Sequence, residues 1–273
     1  METTFFLNNK KVELYFYLVS TSKASARQSV IRIFLSSVRN RSGNYAGFSS
    51  RQKLALFLKQ EIFGFDGSYD VQNKQMDIHK ITLIIAQTLQ KCHQKISLPH
   101  AIRLHCFPSH NWFTNTKMFG VSGYTSDQKN IFLFISSQKS WRQQLKNTVA
   151  HEYTHLFAYR HHDWKTLLDS LIFEGIAENF RESAVGGKPS PWVEALSTQR
   201  SKAIFKKVKH RLQSVDERQY QRLFLGVDRR YPLWAGYAIG YQIIKSFVAH
   251  NPMSWPKIVK MKPNDILEKS HYR

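Results

Sequence analysis

Three segments in the second half of the chain space their apolar residues as amphipathic helices do. The first begins after Ser140, which forms a capping-box pattern with Gln143. Its apolar stripe consists of Leu145, Val149, Leu156 and Phe157. The second covers about 167–180, and the third runs from Pro232, a favourable first helical position, to about His250. These patterns predict three long helices.

The remaining patterns are shorter. The segment 1–95 reads as mostly helical, with apolar stripes near 54–62 and 81–89. Two runs, 101–107 and 130–135, have the composition of strands. Together these elements predict an α+β fold that is mainly helical, with a small mixed sheet before the helix at 141–157.

The glycine- and proline-rich run 186–191 is the strongest break in the chain. We therefore divide the chain into an N-terminal helical region (1–95), a core of strands and two helices (96–186) and a C-terminal helical lobe (187–273). With 273 residues and 42% hydrophobic content, the chain can bury a large core. We expect the three parts to form one compact unit.

The net charge of +21 is distributed unevenly along the chain. The first and last parts carry +8 and +11, whereas 96–186 carries +2. The densest basic cluster contains Lys202, Lys206, Lys207, Lys209 and Arg211. Such flanks attract an acidic partner or an anionic surface in a salt-dependent way, and the alternative is a solvated face without a partner. No motif specific for nucleic acid is present.

Candidate chemistry lies in the His-Glu-x-x-His motif at His151, Glu152 and His155, which Glu174 follows after eighteen residues. Residues i and i+4 of a helix lie on one face, about 6 Å apart along the axis, so both imidazoles can bind one ion. Glu152 would lie beside that ion and take a proton from a metal-activated water. The alternative is a surface histidine pair, but the helical periodicity and the downstream glutamate favour zinc.

These residues resemble those of the gluzincin metallopeptidases. The gap of eighteen residues between His155 and Glu174 resembles the gap in aminopeptidase-N-like enzymes. The chain is more similar to the YjaZ-like family of predicted zinc-dependent proteases. In that family, a Glu-Gly-x-Ala-Glu segment is accompanied by a later run that reads Trp-Ala-Gly-Tyr-Ala-Ile-Gly-Tyr. This chain has the first segment at 174–178 and the run at 234–241. The resemblance is clearest over about 140–251. It implies a zincin-like fold, one Zn²⁺ per chain, a zinc-binding catalytic core at 96–186 and hydrolysis of peptide bonds.

Carried over to this sequence, the resemblance makes His151, His155 and Glu174 the zinc ligands. Three protein ligands leave one position for water, as in catalytic zinc sites, and Glu152 would be the general base. Glu178, one turn after Glu174, would accept a hydrogen bond from a ligand histidine. Two alternatives remain for Glu178. It could replace Glu174 as the zinc ligand, or it could be a solvent-exposed carboxylate.

Two tyrosines one turn apart, Tyr237 and Tyr241, are candidates for stabilising the oxyanion, and Tyr237 is the first choice. The alternative is that both are core residues. Gly236 and Gly240 mark a face where this helix can pack closely against a neighbour, and Gly175 allows a close approach in the same way.

In zincin folds, the strand before the metal-binding helix, here 130–135, forms a sheet edge. An extended peptide can pair with such an edge through its backbone, which favours endopeptidase activity. The alternative is an ordinary buried strand.

Two cysteines, Cys92 and Cys106, give no disulfide framework, which fits a reducing compartment. No apolar run approaches the roughly twenty residues that span a bilayer. We expect a cytoplasmic location and leave secretion open.

The leading hypothesis is therefore a zinc metallopeptidase that acts on peptides or unfolded protein. The alternative is a non-catalytic holdase that retains a zincin fold, suggested by the basic flanks and by 19 Phe, 12 Tyr and 6 Trp. A nucleic-acid binder with an incidental histidine pair is a third hypothesis, and it would bind no zinc.

Overall fold

The structure is a computed structural model that describes residues 1–18, 27–42, 45–64, 76–136 and 141–272. It contains two compact units, Met1–Leu156 and Phe157–Arg273. The boundary between them lies near neither 95 nor 186. The three-part division based on the sequence stays a prediction.

A mixed sheet forms the centre of the first unit. Its described strands are β1 (Glu2–Leu7), β2 (Lys10–Phe16), β3 (Ile102–Pro108), β4 (Val121–Thr125) and β5 (Asn130–Ile135). They lie in the order β1-β2-β3-β5-β4. The inner strands β2, β3 and β5 run parallel, and each edge strand is antiparallel to its neighbour. The predicted α+β class and small mixed sheet are confirmed.

Helices cover both faces of this sheet. They are α1 (Arg27–Ser42), α2 (Arg51–Phe63), α3 (Ile78–Lys95), the short α4 (Trp112–Thr116) and α5 (Trp141–Ala158). Phe107, Phe132 and Phe134 pack with residues of α1 and α2 in one buried cluster. Leu133 lies between Phe132 and Phe134 in β5, so its side chain points to the opposite face of the sheet. Gly123 of β4 pairs with Leu133 and contacts α5. The helix with the histidine motif therefore lies on the face opposite to α1 and α2.

One expectation for this unit is incomplete and another is wrong. The segment 1–95 contains the helices α1, α2 and α3, as expected, but the mostly helical reading misses the hairpin of β1 and β2. The run 130–135 was expected at the sheet edge, but β5 lies between β3 and β4, and all six of its residues are buried. Its continuous apolar sequence is typical of a strand covered on both faces. The edge strand on this side is β4. Ser140 of the proposed capping box lies outside the described residues.

The second unit is helical throughout its described elements. These are α6 (Leu167–Val185), α7 (Thr198–Val208), a 3₁₀ turn (Lys209–Arg211), α8 (Glu217–Phe224), α9 (Ala235–His250), α10 (Trp255–Lys260) and α11 (Pro263–Lys269). A capping box of Thr166 and Asp169 starts α6. The predicted start of α9 at Pro232 is wrong by three residues, because Trp234 has a left-handed backbone (φ 68°).

Glycines allow α6 and α9 to touch through their backbones. A Cβ atom at Gly175 would collide with the carbonyl of Gly240, and one at Gly240 would collide with the carbonyl of Leu171. Gly236 leaves room for the ring of Phe224. The close packing predicted for these glycines is confirmed.

Within the part of the chain that the structure describes, no helix combines the length and the apolar character needed to cross a membrane.

Candidate metal centre

Helix α5 brings two imidazoles together. His151 and His155 lie one turn apart, and their Nε2 atoms are 3.0 Å from each other. Their ring planes meet at 81°, with centroids 4.8 Å apart. His155 is buried and His151 is partly exposed. Two Nε2 atoms that approach one point from one helix face are the arrangement that a shared ion requires.

Glu152 is held by the edge strand β4. Its side chain is 6% exposed. The Thr125 hydroxyl lies 2.8 Å from Glu152 Oε2 and 3.0 Å from the Glu152 backbone carbonyl. A Cβ atom at Gly123 would come within 2.7 Å of Glu152 Cγ, so only glycine lets the strand lie this close. The carboxylate is thus fixed beside the histidine pair by hydrogen bonding and by packing.

Sequence reasoning missed the residues of β4 that interact with Glu152. Thr125 contacts it directly, and Tyr124, which is 41% exposed, interacts with its charge. Burial, together with the charge of Glu152, raises the pKa of the Tyr124 hydroxyl. The sequence marked this segment only as the stretch before a strand, and no local pattern indicates that it contacts the helix.

Glu174 occupies the middle of α6 and is 6% exposed. His151 and His155 offer imidazole nitrogens, and Glu174 offers a carboxylate oxygen. Two imidazole nitrogens and one carboxylate oxygen are the donor set of catalytic zinc sites. The chemistry of these residues therefore fits Zn²⁺.

Glu178 is the centre of a buried polar network in the second unit. Its carboxylate accepts hydrogen bonds from Trp192 Nε1 (2.7 Å) and Ser190 Oγ (2.9 Å). Arg181 Nη2 lies 3.3 Å from Glu178 Oε2, and both side chains are buried, at 0% and 1% exposure. The reading of Glu178 as a solvent-exposed carboxylate is therefore wrong. The i,i+3 spacing of Glu178 and Arg181 was a usable signal for their ion pair, whereas nothing local indicated Trp192.

The two candidate tyrosines of α9 have different surroundings. Tyr241 donates a hydrogen bond to Glu182 Oε2 at 3.1 Å. Burial and the Glu182 carboxylate raise the pKa of the Tyr241 hydroxyl. Tyr237 is half-buried, and its ring packs edge-on against Phe224 with centroids 5.1 Å apart.

Comparison with known proteins places the chain in a family. No curated protein matches it. A family model described as "Predicted Zn-dependent protease" matches residues 81–268, which is more than half of the chain and includes His151, Glu152, His155 and Glu174. This match confirms the resemblance to the predicted zinc-dependent proteases, and the chain belongs to that family, DUF2268.

Proposed function

We propose that this protein is a zinc-dependent endopeptidase of the gluzincin type. The observation that carries the proposal is the pair of Nε2 atoms 3.0 Å apart on α5, with the buried carboxylate of Glu152 between the two histidines in sequence. The family description supports zinc-dependent proteolysis at a coarser level. The zincin-like character of the fold belongs to the same proposal.

His151, His155 and Glu174 would hold the ion. A site with three protein ligands keeps one position open, which distinguishes catalytic from structural zinc. Bound Zn²⁺ would supply Lewis acidity toward the scissile carbonyl and the attacking water. The burial of His155 and Glu174 supports this assignment, because a dry environment strengthens the interaction of ligands with a cation.

Glu152 would act as the general base. Its carboxylate would take a proton from the attacking water and later deliver that proton to the nitrogen of the leaving amine. The hydrogen bond from Thr125 leaves Oε1 of Glu152 available for this role, because it engages Oε2. The hydroxyl therefore orients the base without occupying the oxygen that would receive the proton.

The substrate would bind as an additional strand on β4. In the described residues, β4 pairs with β5 on one side and with no strand on the other. A peptide on that edge would pass close to Glu152, because Gly123 and Thr125 both contact its side chain. Backbone pairing needs no chain terminus, so this mode supports cleavage within a peptide.

Two further residues would assist. Glu178 would orient a ligand histidine, and its own position is fixed by Arg181, Ser190 and Trp192. Tyr237 would donate a hydrogen bond to the oxyanion. The Tyr241 hydroxyl already donates a hydrogen bond to Glu182, which favours Tyr237 for this role.

The partners would be peptides or unfolded proteins as substrates. The basic cluster on α7 and the following turn presents Lys202, Lys206, Lys207 and Lys209 as exposed side chains. This cluster would attract an acidic partner or an anionic surface and would weaken with salt.

The test compares hydrolysis and metal content in matched variants. Glu152→Gln keeps the shape of the side chain and removes the base, so we expect a 10²- to 10⁴-fold lower rate with zinc retained. His151→Ala should lose most of its zinc in elemental analysis, and Glu194→Gln, an exposed carboxylate, should match wild type. An unchanged rate in Glu152→Gln, or unchanged zinc in His151→Ala, would contradict the proposal. Equal suppression of client aggregation by wild type and Glu152→Gln, without hydrolysis, would identify a holdase instead.

A further inference from the structure

Glu61, in the last turn of α2, is a partly buried carboxylate beside the edge strand β4. Ser122 of β4 donates a hydrogen bond to Glu61 Oε2 at 3.3 Å. Across the ranges that the structure describes, no lysine, arginine or histidine forms an ion pair with Glu61. In a chain with a net charge of +21, a half-buried carboxylate that lacks a basic partner is unusual.

The environment of Glu61 favours a cation that comes from outside the chain. Burial raises the pKa of the Glu61 carboxyl to about 7, and the Ser122 hydroxyl opposes this only in part. A positive charge placed next to the carboxyl would stabilise its ionised form. Glu61 is therefore prepared to bind a cationic group at neutral pH.

Glu61 is held on a fixed support. The backbone carbonyls of the last turn of α2 accept hydrogen bonds from the segment that follows β3. The donors are Ser109 Oγ, the His110 backbone N–H and Asn111 Nδ2, at 3.1, 2.7 and 3.1 Å. The position of the carboxylate relative to β4 is thus determined by several contacts at once.

The residues of β4 alternate between two environments. Gly123 and Thr125 face Glu152 on α5. Ser122 and Tyr124 face α2, as expected for the period of two in a strand. Tyr124 packs against Phe57 and Phe48, with ring centroids 4.9 and 5.8 Å away. The α2 side of this edge therefore offers one acidic position and, two residues further along β4, one aromatic position.

We propose that Glu61 determines specificity in a substrate subsite for lysine or arginine. An extended peptide paired antiparallel with β4 would place this basic side chain beside Ser122 and Glu61. Its residue two positions earlier would be apolar and would pack on the aromatic group of Phe48, Phe57 and Tyr124. The order follows from the direction of pairing, since an antiparallel partner meets Tyr124 before Ser122.

The spacing supports this match between substrate and edge. Side chains two residues apart on one face of a strand are separated by about 7 Å in both the peptide and β4. The intervening substrate residue would point toward α5 and Glu152. The preferred substrate would therefore contain an apolar-x-basic sequence near the cleaved bond. This inference rests on the proposed function and on the use of the β4 edge.

The experiment compares two peptides that are identical except for Lys or Met at the basic position. For wild type, we expect kcat/KM to be at least about tenfold higher for the Lys peptide, as for charge-assisted recognition. Glu61→Gln should remove this preference and still cleave the Met peptide, and Glu61→Lys should prefer a third peptide that has Glu at the same position. Glu2→Gln is the matched control, because Glu2 is an exposed carboxylate on the opposite edge strand of the same sheet. It should keep the wild-type preference.

A binding measurement separates failure of the subsite from failure of the proposed function. The affinity of both peptides is measured by fluorescence anisotropy in a Glu152→Gln background, with and without Glu61→Gln. Lys-selective binding that depends on Glu61 supports the subsite even if wild type cleaves nothing, in which case only the proposed function is contradicted. Cleavage by wild type with equal rates and affinities for the two peptides overturns the subsite and leaves the peptidase intact. The absence of binding to either peptide also overturns it.

Discussion

Gly175 of α6 and Gly240 of α9 face each other at a helix crossing that has no room for a side chain at either position. Gly240→Ala should therefore destabilise the protein by about 3 kcal/mol, because the added methyl group meets backbone atoms that cannot move aside. Glu174 is the neighbour of Gly175, so zinc affinity should fall as well. Urea unfolding and zinc titration measure the two effects.

A second alanine substitution separates packing from backbone conformation. Gly186 has φ 67° and no neighbouring atom within 4 Å of a Cβ at that position. Gly186→Ala should lower the free energy of unfolding by about 1–3 kcal/mol, because φ 67° with ψ −161° is a backbone conformation almost restricted to glycine, and it should leave zinc affinity unchanged. Equal losses of stability and of zinc affinity in the two variants would contradict the role given to the helix crossing.

Thr125→Val should lower kcat about tenfold and change KM little. The substitution keeps the shape of the side chain and removes the hydrogen bond that orients Glu152. Steady-state hydrolysis of a peptide measures both constants. Thr88→Val is the control, because the hydroxyl of Thr88 is also buried but bonds within α3, to the Ile84 carbonyl. If both variants had the same kcat, Thr125 would not position the base.

Arg181→Met should lower the free energy of unfolding by about 3–5 kcal/mol, because it leaves the buried carboxylate of Glu178 without its cation. Arg218→Met removes an ion pair with Asp216 in which both side chains are exposed. This substitution should lower the free energy of unfolding by less than about 1 kcal/mol. Urea denaturation of both variants provides the comparison. Similar losses would mean that the Glu178 network contributes little beyond a surface pair.

His105 should make stability depend on pH in the acid range. It is fully buried, with Nδ1 2.8 Å from the Tyr17 hydroxyl and Nε2 3.2 Å from Asn130 Oδ1. Burial lowers the pKa of this histidine to about 4 from 6.5. Between these values the unfolded chain binds a proton that the folded chain does not, so the free energy of unfolding falls as the pH decreases from 6.5 to 4.

The size of this effect follows from the same two pKa values. Between pH 7 and pH 5, wild type should lose about 2 kcal/mol more stability than His105→Gln, whose amide does not titrate. Chemical denaturation at the two pH values measures the difference. Parallel pH profiles for wild type and variant would show that another group controls acid stability.

The sequence was most informative where one local rule determines the outcome. The helical spacing of His151 and His155 was sufficient to predict that their side chains meet, because i and i+4 always share a face. The close packing at Gly175 and Gly240 was predictable for a similar reason, since two glycines on facing helices allow backbone contact. Both features depend on few residues and on geometry that a helix imposes.

It was least informative where distant segments meet. The hairpin of β1 and β2 was missed because β2 is stabilised by pairing with β3, and no periodicity in residues 1–16 reveals that partner. The edge position was given to β5 because zincin folds place an edge strand just before the metal-binding helix, and the sequence did not reveal that β4 takes that place here. The contacts of Glu61 with Ser122 and of Glu178 with Trp192 have the same origin, since each joins elements whose relation only the fold defines.

The parallel pairing of β2 with β3 also affects how the protein is made. The 85 residues from 17 to 101 separate these neighbouring strands, so the ribosome finishes β2 well before its partner exists. At roughly 5–20 residues per second, this delay lasts about 4 to 17 seconds. During that time the newly made hairpin has an unpaired apolar edge that can bind other chains. Synthesis of this protein should therefore depend on chaperones that shield its first strands, and slower translation should increase its aggregation.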